Sequence, residues 1–316
     1  MAAFVAADRL ALFSGRFARA APAFQHRSFG GVTRACPRSG GVLLLFSIFV
    51  ALLPFSLGNA SCSGMVMVAA ALAAFGLLRE GAAHLMSRAV ASGLLIGVAI
   101  ALPDSCLPWL ALIAIAAHRS WLAWEAQDRV AGVPTALYTP PLAGSGLLLL
   151  LLQGNWDGFF LIAVVGGLVG VHGLHRFPPQ IIFGRSGLLV LASAQIVALL
   201  SLVYADLWIE AAMLWSLPAA GLTMDLIDGR GRSVTLFDLA RQRGEPEHGL
   251  ATAAGALACT NVILVWATLA QPLTVRLGAL VLSLFLAWQF TRFLAGGLTA
   301  SMPLALRLGR RGGRAR

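Results

Sequence analysis

The chain has 316 residues, 59% of them hydrophobic and 11% charged, with a mean hydropathy of +0.83. A soluble globular domain carries about a quarter charged residues, so that class is excluded and most side chains must be solvated by lipid or by neighbouring helices. The net charge of +10 rests on 23 basic residues, every one an arginine, which excludes lysine Schiff-base chemistry and a P-loop. Anionic lipid beside membrane helices accounts for this charge without nucleic acid.

Residues 1–40 hold Arg9, Arg16, Arg19, Arg27, Arg34 and Arg38 against one acid, Asp8, and contain no long apolar run. That pattern is not a secretory signal. It suits a basic cytoplasmic arm, and an organellar presequence shares the same composition.

From Gly41 onward, apolar runs predict an all-α polytopic membrane protein of about ten helices, at 42–60, 64–78, 88–103, 106–122, 137–153, 158–174, 186–204, 207–224, 249–270 and 274–298. Several runs are nearer 16 than 20 residues, so they must extend into flanking polar residues to cross a hydrocarbon core about 30 Å thick. Arginine placement tests the count. One alternate set of breaks holds the arm, Arg79, Arg88, Arg119, Arg129, Arg176, Arg185, Arg230, Arg232, Arg241, Arg243 and the tail 299–316, whereas the other set holds only Arg276. The arginine-poor breaks are short turns, at 61–63, 103–106, 154–158, 204–206 and 271–273. The positive-inside rule then gives five hairpins with both termini cytoplasmic. Trp156, Trp208 and Tyr204 at one predicted boundary, and Trp121 and Trp124 at the other, suit headgroup anchors. The chain divides into the arm 1–40, one transmembrane domain 41–298 and the tail; its longest connection, 225–248, is too short for a core of its own. A bacterial plasma membrane is the expected location, with an organellar membrane as the alternative.

Connection 225–248 is the most polar stretch after the arm, with Asp225, Asp228, Asp238 and four arginines. Carboxylates three apart share a helix face and suit Mg²⁺, which in turn holds a diphosphate, and Arg230 and Arg232 suit phosphate oxygens. The ordinary reading is a solvated loop of mixed charge. Within it Val234, Phe237 and Leu239 suggest a short interfacial helix. Glu125 and Asp128, also three apart before an arginine, repeat the pattern on the same predicted side.

Inside the membrane the strongly polar residues are Gln195, Glu210, Asn261, Gln289 and Arg292. Such residues mark transport pathways when they are ionisable; their scarcity leaves Gln195 and Asn261 as the candidate solute-binding groups. His172 and His175 stand three apart near a helix end and could hold a metal. Cys62 and Cys106 share adjacent outer turns and could bridge on an oxidising face, with Cys36 and Cys259 as free thiols. Small residues at 166–170 and 253–258 suit close helix packing.

Partial resemblances attach to some of these segments. ALYTPP at 136–141 resembles the post-helix loop of UbiA-type prenyltransferases, but the Asn-Asp-rich first motif of that family is missing. DGRGRS at 228–233 resembles the start of the CDP-alcohol phosphotransferase signature and departs from it at the Ala-Arg pair and at the later aspartates. GLLRE at 76–80 and GLTMD at 221–225 resemble the GxxxD runs of major facilitator transporters, which have more helices. The drug/metabolite transporters share the helix number and tight turns, without a motif. The expectation is therefore a carrier of a small solute or lipid-linked substrate. The alternatives are a membrane transferase using Asp225, Asp228 and Mg²⁺ at the cytoplasmic face, and a non-catalytic assembly subunit.

Overall fold

The computed structural model describes residues 24–29, 32–37, 40–56, 132–175, 181–222, 226–227, 233–234, 240 and 246–295. Its elements are β1 (Phe24–Phe29), β2 (Val32–Pro37), α1 (Gly40–Ser56), α2 (Val133–Leu148), a π-helical turn (Leu149–Gln153), α3 (Trp156–His175), α4 (Gly184–Tyr204), α5 (Trp208–Leu222), β3 (Leu226–Ile227), β4 (Ser233–Val234), α6 (Glu247–Thr268) and α7 (Leu273–Ala295). The fold is helical, and five of its spans are long and apolar enough to cross a membrane: Val133–Gln153, Trp156–His175, Gly187–Tyr204, His248–Thr268 and Leu273–Ala295. Helix α1 has 17 residues and α5 has 15, the short runs expected from the sequence. The predicted helices at 64–78, 88–103 and 106–122 lie outside the described residues.

Each described helix begins and ends within a few residues of its apolar run, because a backbone leaving water must satisfy its own N–H and C=O groups. Two differences stand out. Residues 24–37 lie in the segment read as an arm, yet they pair as an antiparallel hairpin with Phe29 opposite Val32. Only Gly30 and Gly31 separate the strands, and a Gly-Gly pair is a strong two-residue hairpin signal. In the polar connection, Ser233–Val234 pairs with Leu226–Ile227, so the segment read as an interfacial helix begins as a strand; β-branched Val234 favours that state.

Helix α3 packs on α1 and α2, α2 on α6, and α5 on α7 and α6, while α4 contacts α1, α2, α3 and α5. Glycine permits the closest approaches. A Cβ on Gly158 would lie 2.7 Å from the Gly146 carbonyl oxygen, and one on Gly167 would lie 2.7 Å from Leu44 Cδ1. Gly255 sits against Ala136 at 3.4 Å from its Cβ, so both predicted small-residue stretches lie at helix crossings. The first amides of α1 are satisfied by the segment that leads into α4, Gly40 N–H donating to the Ile182 carbonyl and Gly41 N–H to that of Phe183, each at 3.1 Å. That contact supplies partners to a helix start that otherwise leaves four donors unmet.

The tight turns are built locally. Gly154 ends the π-helical turn in the left-handed region at φ +60°, and the Asn155 side chain accepts the Asp157 N–H at 3.1 Å. Asp206 turns the chain between α4 and α5 at φ +58°, a conformation that Asp tolerates better than most residues. Between α6 and α7 the Gln271 N–H donates to the Thr268 carbonyl at 2.9 Å.

Candidate functional site

Polar side-chain contacts join the described helices, and they sort the sequence candidates into those already engaged and those that are not. Glu210, in the first turn of α5, and Arg276, in the first turn of α7, form a two-pronged ion pair. Arg276 Nε donates to Glu210 Oε1 at 2.8 Å and Nη2 to Oε2 at 2.7 Å. Glu210 is 1% exposed and Arg276 22%. The helix N-terminus favours the carboxylate and opposes the guanidinium, so the pairing geometry, not the dipole, holds Arg276 in place. Arg276 was the one exception to the arginine pattern, and its partner explains it.

Asn261 was expected to bind solute. The structure instead gives it two serines, with Nδ2 donating to Ser216 Oγ and Oδ1 accepting from Ser283 Oγ, both at 2.9 Å. All three residues are buried, and the chain of bonds clamps α5, α6 and α7 at mid-length. Ser216 also donates back to the Met213 carbonyl at 2.9 Å.

Asp157, in the first turn of α3, accepts from Ser201 Oγ on α4 and from Asn155 Nδ2 at 3.3 Å. Toward the other end of α3, His172 Nδ1 meets Thr135 Oγ1 of α2 at 2.6 Å. His175 is buried, with Nδ1 at 3.1 Å from the Ile181 carbonyl and its ring edge-on to Phe183 at 4.7 Å. The histidine pair is thus drawn into two separate contacts, and no group of three potential metal ligands occurs among the described residues. The Asp157–Ser201 and Thr135–His172 contacts were not foreseen. The one signal for the first was Asn155-x-Asp157, a sequence prone to an Asx turn.

Gln195 differs from all of these. It lies on α4, is 8% exposed, and its Oε1 has no hydrogen-bond partner among the described residues. The same holds for Ser145 Oγ on α2 and Trp215 Nε1 on α5. A buried polar atom without a partner costs about 1–3 kcal/mol, so three in one bundle require an account. Arg292 lies 4.8 Å over the Trp288 ring, and Cys259 is an exposed free thiol.

Asp225, Asp228, Asp238, Arg230, Arg232, Glu125 and Asp128, and the Cys62–Cys106 pair, lie outside the described residues. The chain matches no protein-family profile, and no curated protein shows significant similarity to it.

Proposed function

We propose that the chain is a multi-pass carrier of a small solute, with about ten helices in five hairpins and its arginine-rich breaks on the cytoplasmic side of a plasma membrane. Five apolar spans support the membrane embedding. The sidedness is supported by the short turns at 154–155, 205–207 and 269–272, which share one end of the bundle, and by Arg276, the one described arginine at that end, being neutralised by Glu210. Anionic lipid at the cytoplasmic face is the partner that this charge distribution suits.

The observation that carries the carrier reading is Gln195, an amide placed in the most enclosed of the described spans, whose oxygen has no partner among the described residues. Polar groups at membrane depth are costly and are retained at functional positions. A transferase would place its chemistry at Asp225, Asp228, Arg230 and Arg232, which lie outside the described residues.

Uptake into proteoliposomes of radiolabelled glycerol, alanine, choline and citrate tests the reading. At least one solute enters faster than into protein-free vesicles, and Gln195→Leu abolishes the difference. Equal entry of all four with and without protein overturns the carrier reading.

A further inference from the structure

Ser145, Gln195 and Trp215 stand on three helices that all contact one another, α2, α4 and α5. Their depths agree. Ser201 on α4 bonds Asp157 at the start of α3, and the next residue of α3, Gly158, lies against Gly146 of α2 and Leu150 of the π-helical turn that continues it. At 1.5 Å per residue, Gln195 lies roughly 9 Å inward from Ser201. Counted from Gly146 and Leu150, Ser145 lies roughly 2–8 Å inward, which puts the two at depths that differ by about one helical turn or less. On α5, Leu214 is the neighbour of Gly144, where a Cβ would lie 2.8 Å from Leu214 Cδ2. Trp215 follows directly, its ring centroid 6.3 Å from that of Tyr138. Tyr138 and Ser145 are seven residues apart and so share a face of α2.

Among the buried serines and threonines of the described residues, Ser145 stands apart. The buried hydroxyls of Ser47, Thr135, Ser193 and Ser216 turn back onto carbonyls of their own helix or its cap, and those of Ser201 and Ser283 bond across helices. Ser145 does neither among the described residues, although it is 0% exposed; Trp215 is 4% exposed. Helix α2 adds one more acceptor. Pro140 and Pro141 lie within it, and proline has no N–H, so the Leu137 carbonyl finds no donor at either the third or the fourth following residue. Leu137 is buried and shares a stripe with Gly144, which faces α5.

We propose that these groups form one binding site at mid-depth for a small, uncharged solute that both donates and accepts hydrogen bonds, such as a hydroxyl- or amide-bearing molecule. The inference rests on the carrier reading and specifies its substrate class. Donor and acceptor capacity are both present: the indole N–H only donates, the amide oxygen and the main-chain carbonyl only accept, and the hydroxyl does either. Among the described residues, the carboxylates, imidazoles and guanidiniums of the helices around the site lie toward helix ends: Asp157, His172 and His175 on α3, Glu210 on α5, His248 on α6, and Arg276 and Arg292 on α7. An ion brought to this depth would lose its hydration without a countercharge. The Tyr138 and Trp215 rings supply an apolar wall of the kind that small-molecule sites use.

The test is thiol reactivity in the full-length protein, reconstituted in vesicles, with Cys36, Cys62, Cys106 and Cys259 replaced by serine and its fold checked by monodispersity and melting temperature. Ser145→Cys is treated with three methanethiosulfonates of similar size: neutral hydroxyethyl, cationic trimethylammonioethyl and anionic sulfonatoethyl. Ser193→Cys, equally buried on α4 but bonded to its own helix, serves as the control. The site predicts that Ser145→Cys reacts with the hydroxyethyl reagent at least tenfold faster than with either charged one. It also predicts that Ser193→Cys reacts with none, and that adding Gln195→Leu slows the neutral reaction about fivefold, the loss of one hydrogen bond. Equal reaction with all three overturns the substrate class; reaction with none overturns the site and leaves a sealed polar core. Neutral-selective labelling without solute uptake keeps the site and removes the carrier reading, whereas uptake without labelling does the reverse.

Discussion

Helices α4 and α7 are of similar length, 21 and 23 residues, and both are apolar enough to span a membrane. Of the spanning window of α4, 83% is buried, against 22% for α7. The apolar side chains of α4 contact four other helices, while Val281, Leu284, Phe285 and Trp288 of α7 point outward. In water this would be the difference between a core helix and a surface one, and composition would reveal it. In a bilayer the outer solvent is itself apolar, so the two sequences look alike. Polar groups carry the distinction instead. Helix α4 holds an amide whose oxygen has no partner among the described residues, whereas α7 is joined to its neighbours by the Glu210–Arg276 pair and the Ser283–Asn261 bond.

Four substitutions break or sharpen that contrast. The largest effect is expected from Arg276→Leu, which strands the Glu210 carboxylate and removes the charged tie between α5 and α7; a loss of about 3 kcal/mol is expected. Reversible unfolding in mixed micelles measures it, and a double variant with Glu210→Gln recovers part of the loss, a recovery absent if the pair contributes nothing. Gly187→Val comes next. Its Cβ would lie 2.9 Å from Phe183 Cβ and 3.0 Å from Gly41 Cα, whereas Gly278 of α7 has nothing within 4 Å. The first change costs about 1–3 kcal/mol through overpacking and the matching Gly278→Val is nearly neutral; equal melting temperatures for the two would refute the assignment of α4 to the core.

A smaller loss, about 1 kcal/mol, is expected from Asn261→Leu, since hydrogen bonds between membrane helices have modest net worth. Because its partners are serines of the clamp, uptake is retained once folded protein is normalised, in contrast to Gln195→Leu; abolished uptake would return Asn261 to the solute site. The smallest effect belongs to Val281→Ala, at a position 66% exposed. A stability change within about 0.5 kcal/mol is expected, and a larger one would mean that protein, not lipid, covers that face.

The helices themselves were legible. The runs predicted at 158–174, 186–204 and 249–270 match α3, α4 and α6 within two residues at each end, because in lipid an apolar run of this length has few backbone options besides a helix. The hairpin at 24–37 was missed for the opposite reason. Its strands carry no clean alternation, and its signal is the Gly30-Gly31 pair, easily read as a plain loop. At the candidate site, Gln195 could be named from its residue type alone. Ser145 and Trp215 could not, since serine and tryptophan in a membrane helix ordinarily find a partner or an interface. Asn261 and Gln195 were equivalent as sequence and became different only through Ser216 and Ser283, 45 and 22 residues from Asn261 along the chain.

Composition and apolar runs by themselves determined that this is a helical chain with segments long and apolar enough to cross a membrane, where several of its described helices begin and end, and that Arg276 breaks the charge pattern. Those are one-dimensional properties, governed by the transfer of each segment from water to lipid. Only the tertiary structure decided which helix lies inside, that Glu210 answers Arg276 across 66 residues, and which polar atoms are left without partners. Pairing of that kind depends on which side chains the crossing of helices brings within about 3 Å of each other, and hydropathy, averaged along a segment, carries no record of it.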